Sequence, residues 1–286
     1  MKRTSFEISV ASQNLQGNIY PLPDPRAVVL IVHGMGEYGR RYERFVIPQL
    51  LEHGLCAITY DQFGHGSAPG KKGHHPGYNY LLESIDKCLE KSEETFGDLP
   101  LILYGHSMGG NVALSYVLSR AHKIKGAVIS SPFLRLSFEP PAWKLTMGRI
   151  LGKIVPSLTL ANEIESGAIS QIKEEVEAYQ NDPLIHDRVS PAYSIAFLKK
   201  GEQLIERAGE INLPVLVLHG TADRLTDPEA SRELVENAGD NVEYLEVKGG
   251  YHELHHDIGR QEVMNHILCC IDELIKIDTV ADENMD

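Results

Sequence analysis

The sequence predicts an α/β fold: an open, mostly parallel central sheet with helices on both faces. Three observations carry this expectation. Short apolar runs recur along the chain and end in Gly, Ser or Asp. Most of them do not alternate with polar residues, the pattern of strands buried on both faces. Helix-compatible segments separate them, as strand–helix alternation in a parallel sheet requires. Taken in order, 5–19 reads as an antiparallel hairpin on the sheet edge. Runs 27–32, 55–60, 99–104, 127–130, 215–218 and 242–247 read as the buried strands, and 41–53, 80–95, 108–121, 229–237 and 260–277 as the helices. From 132 to 190 the alternation stops. No strand-like run is found there, and Pro140, Pro141 and Pro156 punctuate helical patterns. This segment reads as a helical cap inserted into a core formed by 1–131 and 191–277. The acidic tail 278–286 is expected to lack regular structure.

With 286 residues the chain can bury a large core, and a formal net charge of −13 argues against a nucleic-acid partner, whose phosphates it would repel. The four cysteines, Cys56, Cys88, Cys269 and Cys270, form no CxxC pair, so reduced thiols are expected. Cys269 and Cys270 sit in an apolar helical pattern and read as core. The first residues lack an apolar signal region and no run reaches membrane-spanning length, so cytoplasm is the expected compartment.

Three motifs compete for the chemistry. Gly34, Gly36 and Gly39 match G-x-G-x-x-G after a strand, and Asp61 stands where a ribose-binding acid would, so an NAD(P)-dependent oxidoreductase is one reading. Against it, Arg40, Arg41 and Arg44 follow the last glycine, opposing the helix dipole that a pyrophosphate needs. Gly105-His106-Ser107-Met108-Gly109 is G-x-S-x-G between an apolar strand and a helix, the context that lifts a nucleophilic serine clear of a sheet. Finally, His252-Glu253-Leu254-His255-His256 has the H-E-x-x-H spacing of a zinc helix. Yet it follows a strand and Gly249-Gly250, so it belongs on a strand-end loop, the place for a general base. Asp223, just past the strand 215–218, is the better orienting carboxylate. Asp227 precedes Pro228 and reads as a helix cap. The order Ser107, Asp223, His252 is that of α/β-hydrolases. Loop 71–75 reads as solvated.

With HGMGEYGRRY, YDQFGHGSAPG, LYGHSMGGNVAL, HGTADRLTDP and GGYHELHHD in this order, the chain resembles the monoacylglycerol lipase and lysophospholipase branch of the α/β-hydrolases. The resemblance spans about residues 6–277. It implies a serine carboxylester hydrolase with backbone N–H groups of Met35 and Met108 as the oxyanion hole, and Glu37 with Arg41 as a structural pair beside the pocket. Met35 stands where that branch more often has a small residue. Such chemistry needs no metal and no organic cofactor. In the cap, Trp143, Met147, Ile150 and Ile154 share one helical face, flanked by Lys144, Arg149 and Lys153. That face packs inside the protein, lines an acyl tunnel, or touches a lipid surface. Phe133, Leu136, Phe138, Trp143 and Leu145 are the candidate substrate contacts. The expected substrate is a monoacylglycerol or another single-chain lipid ester. Peptidase, thioesterase and small-ester esterase activities share the same triad and stay open, and the oligomeric state is not legible.

Overall fold

The computed structural model describes residues 1–120, 123–162 and 164–283. Strands β1 (Thr4–Val10) and β2 (Gln13–Tyr20) form a hairpin whose two turn residues, Ala11 and Ser12, both have positive φ. That turn matches the right-handed twist of the two strands. Then follow β3 (Ala27–Val32), α1 (Val46–Glu52), β4 (Leu55–Tyr60), α2 (Tyr78–Phe96), β5 (Leu101–His106), α3 (Met108–Arg120) and β6 (Gly126–Ser130). Next come α4 (Ala142–Ile154), β7 (Leu160–Ala161), α5 (Lys173–Asn181), β8 (Arg188–Val189) and α6 (Pro191–Glu206). The chain ends with β9 (Val215–Gly220), α7 (Pro228–Asn237), β10 (Val242–Val247) and α8 (Arg260–Glu283).

Eight strands form one sheet in the order β1-β2-β4-β3-β5-β6-β9-β10. The β1–β2 and β2–β4 pairs are antiparallel and the remaining ones are parallel. This is the α/β-hydrolase arrangement. The uninterrupted apolar runs have a direct cause: each strand side chain alternates between two cores. Val28, Leu30 and Val32 of β3 join one core with Val112 of α3, Phe197 of α6 and Leu234 of α7. Val29 and Ile31 join the other with Ile47 and Leu50 of α1 and Ile267 and Ile271 of α8. A strand covered on both faces has no solvent side on which to place a polar residue.

Five local expectations change. Helix α6 was not anticipated. Ser190 caps it by accepting the Tyr193 N–H, Pro191 fills its first position, and Tyr193, Phe197, Leu204 and Ile205 are buried. Within 132–190, two-residue strands β7 and β8 pair with each other, too short to leave a periodic signal. Cys269 is exposed and Cys270 half-buried, because neighbours on a helix point about 100° apart and Ile267 and Ile271 take the sheet-facing side. Loop 71–75 is not solvated throughout: His75 packs edge-on to Tyr193 (4.2 Å between ring centroids), and His74 Nδ1 meets Ser190 Oγ at 2.9 Å. At the C-terminus, helix continues through Glu283, since propagating a formed helix adds a hydrogen bond for each residue fixed. Residues 284–286 of the expected acidic tail and the side chain of Lys144 lie outside what is described.

Candidate active site

Ser107 lies between β5 and α3 with φ +53°, a conformation costly for a side-chain-bearing residue. Its neighbours explain the glycines around it. A Cβ on Gly109 would come within 2.0 Å of the Val32 carbonyl oxygen, and one on Gly105 within 2.7 Å of Ala113 Cβ. Ser107 is further held by its N–H donating to the Ser130 carbonyl and its own carbonyl accepting from Phe133 and Asn111. The turn is thus fixed by both neighbouring strands and by α3.

Loops leaving β9 and β10 bring the other two groups. His252 Nδ1 donates to Asp223 Oδ2 at 2.7 Å, which leaves Nε2 as the acceptor facing Ser107 Oγ at 2.9 Å. Asp223 is itself fastened: Oδ1 accepts from the N–H groups of Leu225 and Thr226, and Oδ2 also meets His219 Nε2 (3.0 Å) and Thr226 Oγ1 (3.0 Å). Asp227 instead accepts from the Glu229 N–H and caps α7. Burial opposes the charge on Asp223, but the His252 cation and the hydrogen bonds from His219 and His252 hold its carboxyl far below the usual range. Burial likewise disfavours charge on His252. Asp223 outweighs it, so the imidazole is pushed above its ordinary value. His106, tilted against the His252 ring at 4.9 Å between centroids, is driven by burial and then by His252 down to about 4, and stays neutral.

A second buried network adjoins this one. Glu37 Oε1 accepts from the Gly34 N–H (2.6 Å) and from Tyr42 Oη (3.0 Å), and its Oε2 accepts from Arg41 (3.0 Å). Arg41 is also bidentate to Glu253, at 2.5 and 2.6 Å, and its guanidinium lies 4.9 Å from the Tyr179 ring centroid. Burial would neutralise both glutamates, but Arg41 holds each below the ordinary carboxylate value. Among the described residues, Glu253, His255 and His256 group closely enough to suggest a cation site. Arg41 already occupies both Glu253 oxygens, and the Nδ1–H of His256 donates to one of them (3.0 Å), so a cation would have to displace a guanidinium. The motif is also no zinc helix: only Leu254–His256 forms a single 3-10 turn, and His252 turns toward Ser107.

The glycine fingerprint takes a different shape from a nucleotide site. Asp61 accepts from the N–H groups of Gly39 (3.0 Å) and Ser67 (2.8 Å), tying two loops together, and a 3-10 turn over Gly39–Arg44 begins at the last glycine.

A cavity opens over Ser107. Of the candidate contacts, Phe133, Leu136 and Phe138 line it, as does Met35, whereas Trp143 and Leu145 do not. In α4, Gly148 and Gly152 let the helix approach Ile195 and Ala192 of α6 closely, which turns the Trp143 face outward. Trp143 is 63% and Ile154 72% exposed. Met108 is fully buried, with its sulfur accepting from Tyr193 Oη. Sequence reasoning missed the lining residues Tyr179, Asn162, Ile164, Ile169 and Leu198, and the Asp223 partners His219 and Thr226. His219 at the end of β9 was the one available signal. The cap residues carry no motif.

Comparison with known proteins gives a consistent picture. Residues 23–259 match the family described as serine aminopeptidase, S33. A monoacylglycerol lipase of Mycolicibacterium smegmatis is 30% identical over 86% of this chain and 88% of its own length. An uncharacterized abhydrolase domain-containing protein of Dictyostelium discoideum is 34% identical over 90% of this chain, which spans only 27% of that protein's length. The crystal structure of Paleococcus ferrophilus monoacylglycerol lipase superposes with a TM-score of 0.83 at 34% identity, covering 92% of this chain and 98% of that one.

Proposed function

The chain belongs to the serine aminopeptidase S33 family, in its monoacylglycerol lipase-like branch of the α/β-hydrolases, and on that premise we propose that it is a serine carboxylester hydrolase cleaving monoacylglycerols or related single-chain lipid esters. One observation carries the reading: a strained serine whose hydroxyl faces an acceptor imidazole, at the floor of a cavity lined largely by apolar side chains. His252 takes the Ser107 proton as Oγ attacks the ester carbon. Asp223 fixes the imidazole tautomer and stabilises the cation that forms. The N–H groups of Met35 and Met108 hold the oxyanion, each such donor being worth roughly 100- to 1000-fold. His252 then gives its proton to the leaving alcohol. Water, deprotonated by the same imidazole, releases the fatty acid and restores Ser107. Each step is an acid–base or nucleophilic one carried by these side chains.

Residues 132–190 act as a cap: Phe133, Leu136, Phe138, Ile164 and Ile169 supply apolar wall for an acyl chain. Met147, Ile150 and Ile154 expose an apolar face flanked by Arg149 and Lys153, and Phe138 sits half-exposed at the cavity. This fits transient contact with a membrane or micelle during substrate uptake. Among the described residues, no helix is long and apolar enough to cross a membrane. Four free thiols favour the cytoplasm.

Fluorophosphonate labelling followed by mass spectrometry should place the adduct on Ser107. An acyl-glycerol series should show rising kcat/KM from acetyl toward medium and long chains. Preference for acetyl esters removes the lipid reading. Faster cleavage of aminoacyl anilides than of any ester replaces it with a peptidase.

A further inference from the structure

Among the described residues, the charged side chains that border the cavity carry one sign. Among the described residues lining it, Glu37 and Glu253 are the charged ones apart from histidines, and no Lys or Arg is present. Their common partner Arg41 lies behind them and borders a separate surface hollow with Tyr38, Arg40 and Arg44. Arg41 is also spent: its guanidinium donates to both Glu253 oxygens and to Glu37. Both glutamates are ionised and one guanidinium faces them, so this buried end carries a surplus negative charge. Geometry says which part of a substrate meets it. The imidazole that protonates the leaving oxygen must touch the alcohol, so the alcohol lies on the His252 side of Ser107. Glu253 is the next residue in the chain. Glu37 stands across the same region, bonded to the Gly34 N–H beside Met35.

We propose that Glu37 and Glu253 set the charge of the leaving alcohol: esters of neutral or cationic alcohols are accepted, and esters whose alcohol carries a phosphate are rejected. This rests on the ester-hydrolase reading and sharpens it, because the branch the sequence resembles includes enzymes acting on glycerol esters and on phosphate-bearing lysolipids. A neutral polyol finds polar lining residues to hydrogen-bond with, Asn162, Tyr179 and Ser194. Among the described lining residues a phosphate finds two carboxylates and no Lys or Arg, and like charges brought together away from water are strongly unfavourable.

Three water-soluble esters with one acyl group separate the outcomes: monobutyrin, butyrylcholine, and butyrylglycerol phosphate, each assayed with the full chain. The expected result is kcat/KM for the first two within about tenfold of each other and at least about 100-fold lower for the phosphate ester. The gap should persist in about 0.5 M NaCl, since buried charges are poorly screened. Within Glu253→Gln, the phosphate-to-monobutyrin ratio should rise about tenfold or more, a ratio that partial loss of folded protein leaves unaltered. Equal turnover of all three, or a gap that salt abolishes and that therefore belongs to the net surface charge, overturns the inference alone. So does an unchanged ratio in both Glu253→Gln and Glu37→Gln. If no ester is cleaved and Ser107 takes no fluorophosphonate, the hydrolase reading falls and this inference with it.

Discussion

Ser107 is 8% exposed, and its turn is held by hydrogen bonds from two sides, whereas Trp143, 36 positions further along the chain, is 63% exposed on a helix packed through two glycines. The floor of the cavity and the outer face of α4 thus stand at opposite extremes. On the floor, the triad and the two glutamates have named partners: Ser107 with His252, His252 with Asp223, Asp223 with His219, Glu37 and Glu253 with Arg41. On α4 the large apolar side chains point to solvent. The lesson is that tight mutual constraint suits a fixed reaction geometry. An exposed apolar face suits a surface that is met only transiently.

The comparison breaks first at the nucleophile. Ser107→Ala should lower esterase kcat by about 10⁴-fold or more while thermal unfolding stays near wild type. Substantial residual turnover would mean that another group attacks. Next in size is the network behind the site. Arg41→Met leaves Glu37 and Glu253 buried without their cation and should cost about 3–5 kcal/mol in a urea titration. A loss below about 1 kcal/mol would show that the network is wetter than its geometry indicates.

A smaller effect comes from pH. The base must be neutral, and the folded His252 titrates above its ordinary value, so kcat/KM should rise with pH through an acid limb lying above about 6.5. Glu253 contributes to that elevation, so in Glu253→Gln the limb should move to lower pH. Stability runs the other way. The charged imidazole favours the fold below its unfolded value, and that contribution is lost as pH rises through the folded one. On α4, Met147→Ser with Ile154→Ser should leave cleavage of soluble butyrate esters within about twofold, yet weaken binding to anionic vesicles by about tenfold. Equal binding would assign that face no role at a lipid surface. Smallest of all, a chelator should change nothing, because Arg41 holds the carboxylate that a zinc ion would need.

Much was legible in the residues themselves. Uninterrupted apolar runs mark strands between two helix layers, for neither face turns to solvent. G-x-S-x-G is legible because only glycines fit where Val32 and Ala113 close in on the turn. Asp227 could be separated from Asp223 because an acid before proline at a helix start has a local role of its own. Helix α6 is not legible because its start at Ser190-Pro191 adjoins the proline-punctuated cap, and its buried residues Tyr193, Phe197, Leu204 and Ile205 are too widely spaced to read as a strand or a dense apolar stripe. The apolar face of α4 was seen, but its destination was not.

Local sequence therefore determined the strands, the strained turn and the strand-end places of Ser107, Asp223 and His252, since each depends on neighbours within a few positions. Only the tertiary structure decided that Arg41 bridges Glu37 to Glu253, 212 positions away, that cap residues from several elements wall the cavity, and that α4 turns its apolar face outward. Periodicity tells which side chains share a face. What that face meets is set by how separate elements pack, and that contact leaves no trace in any short stretch of chain.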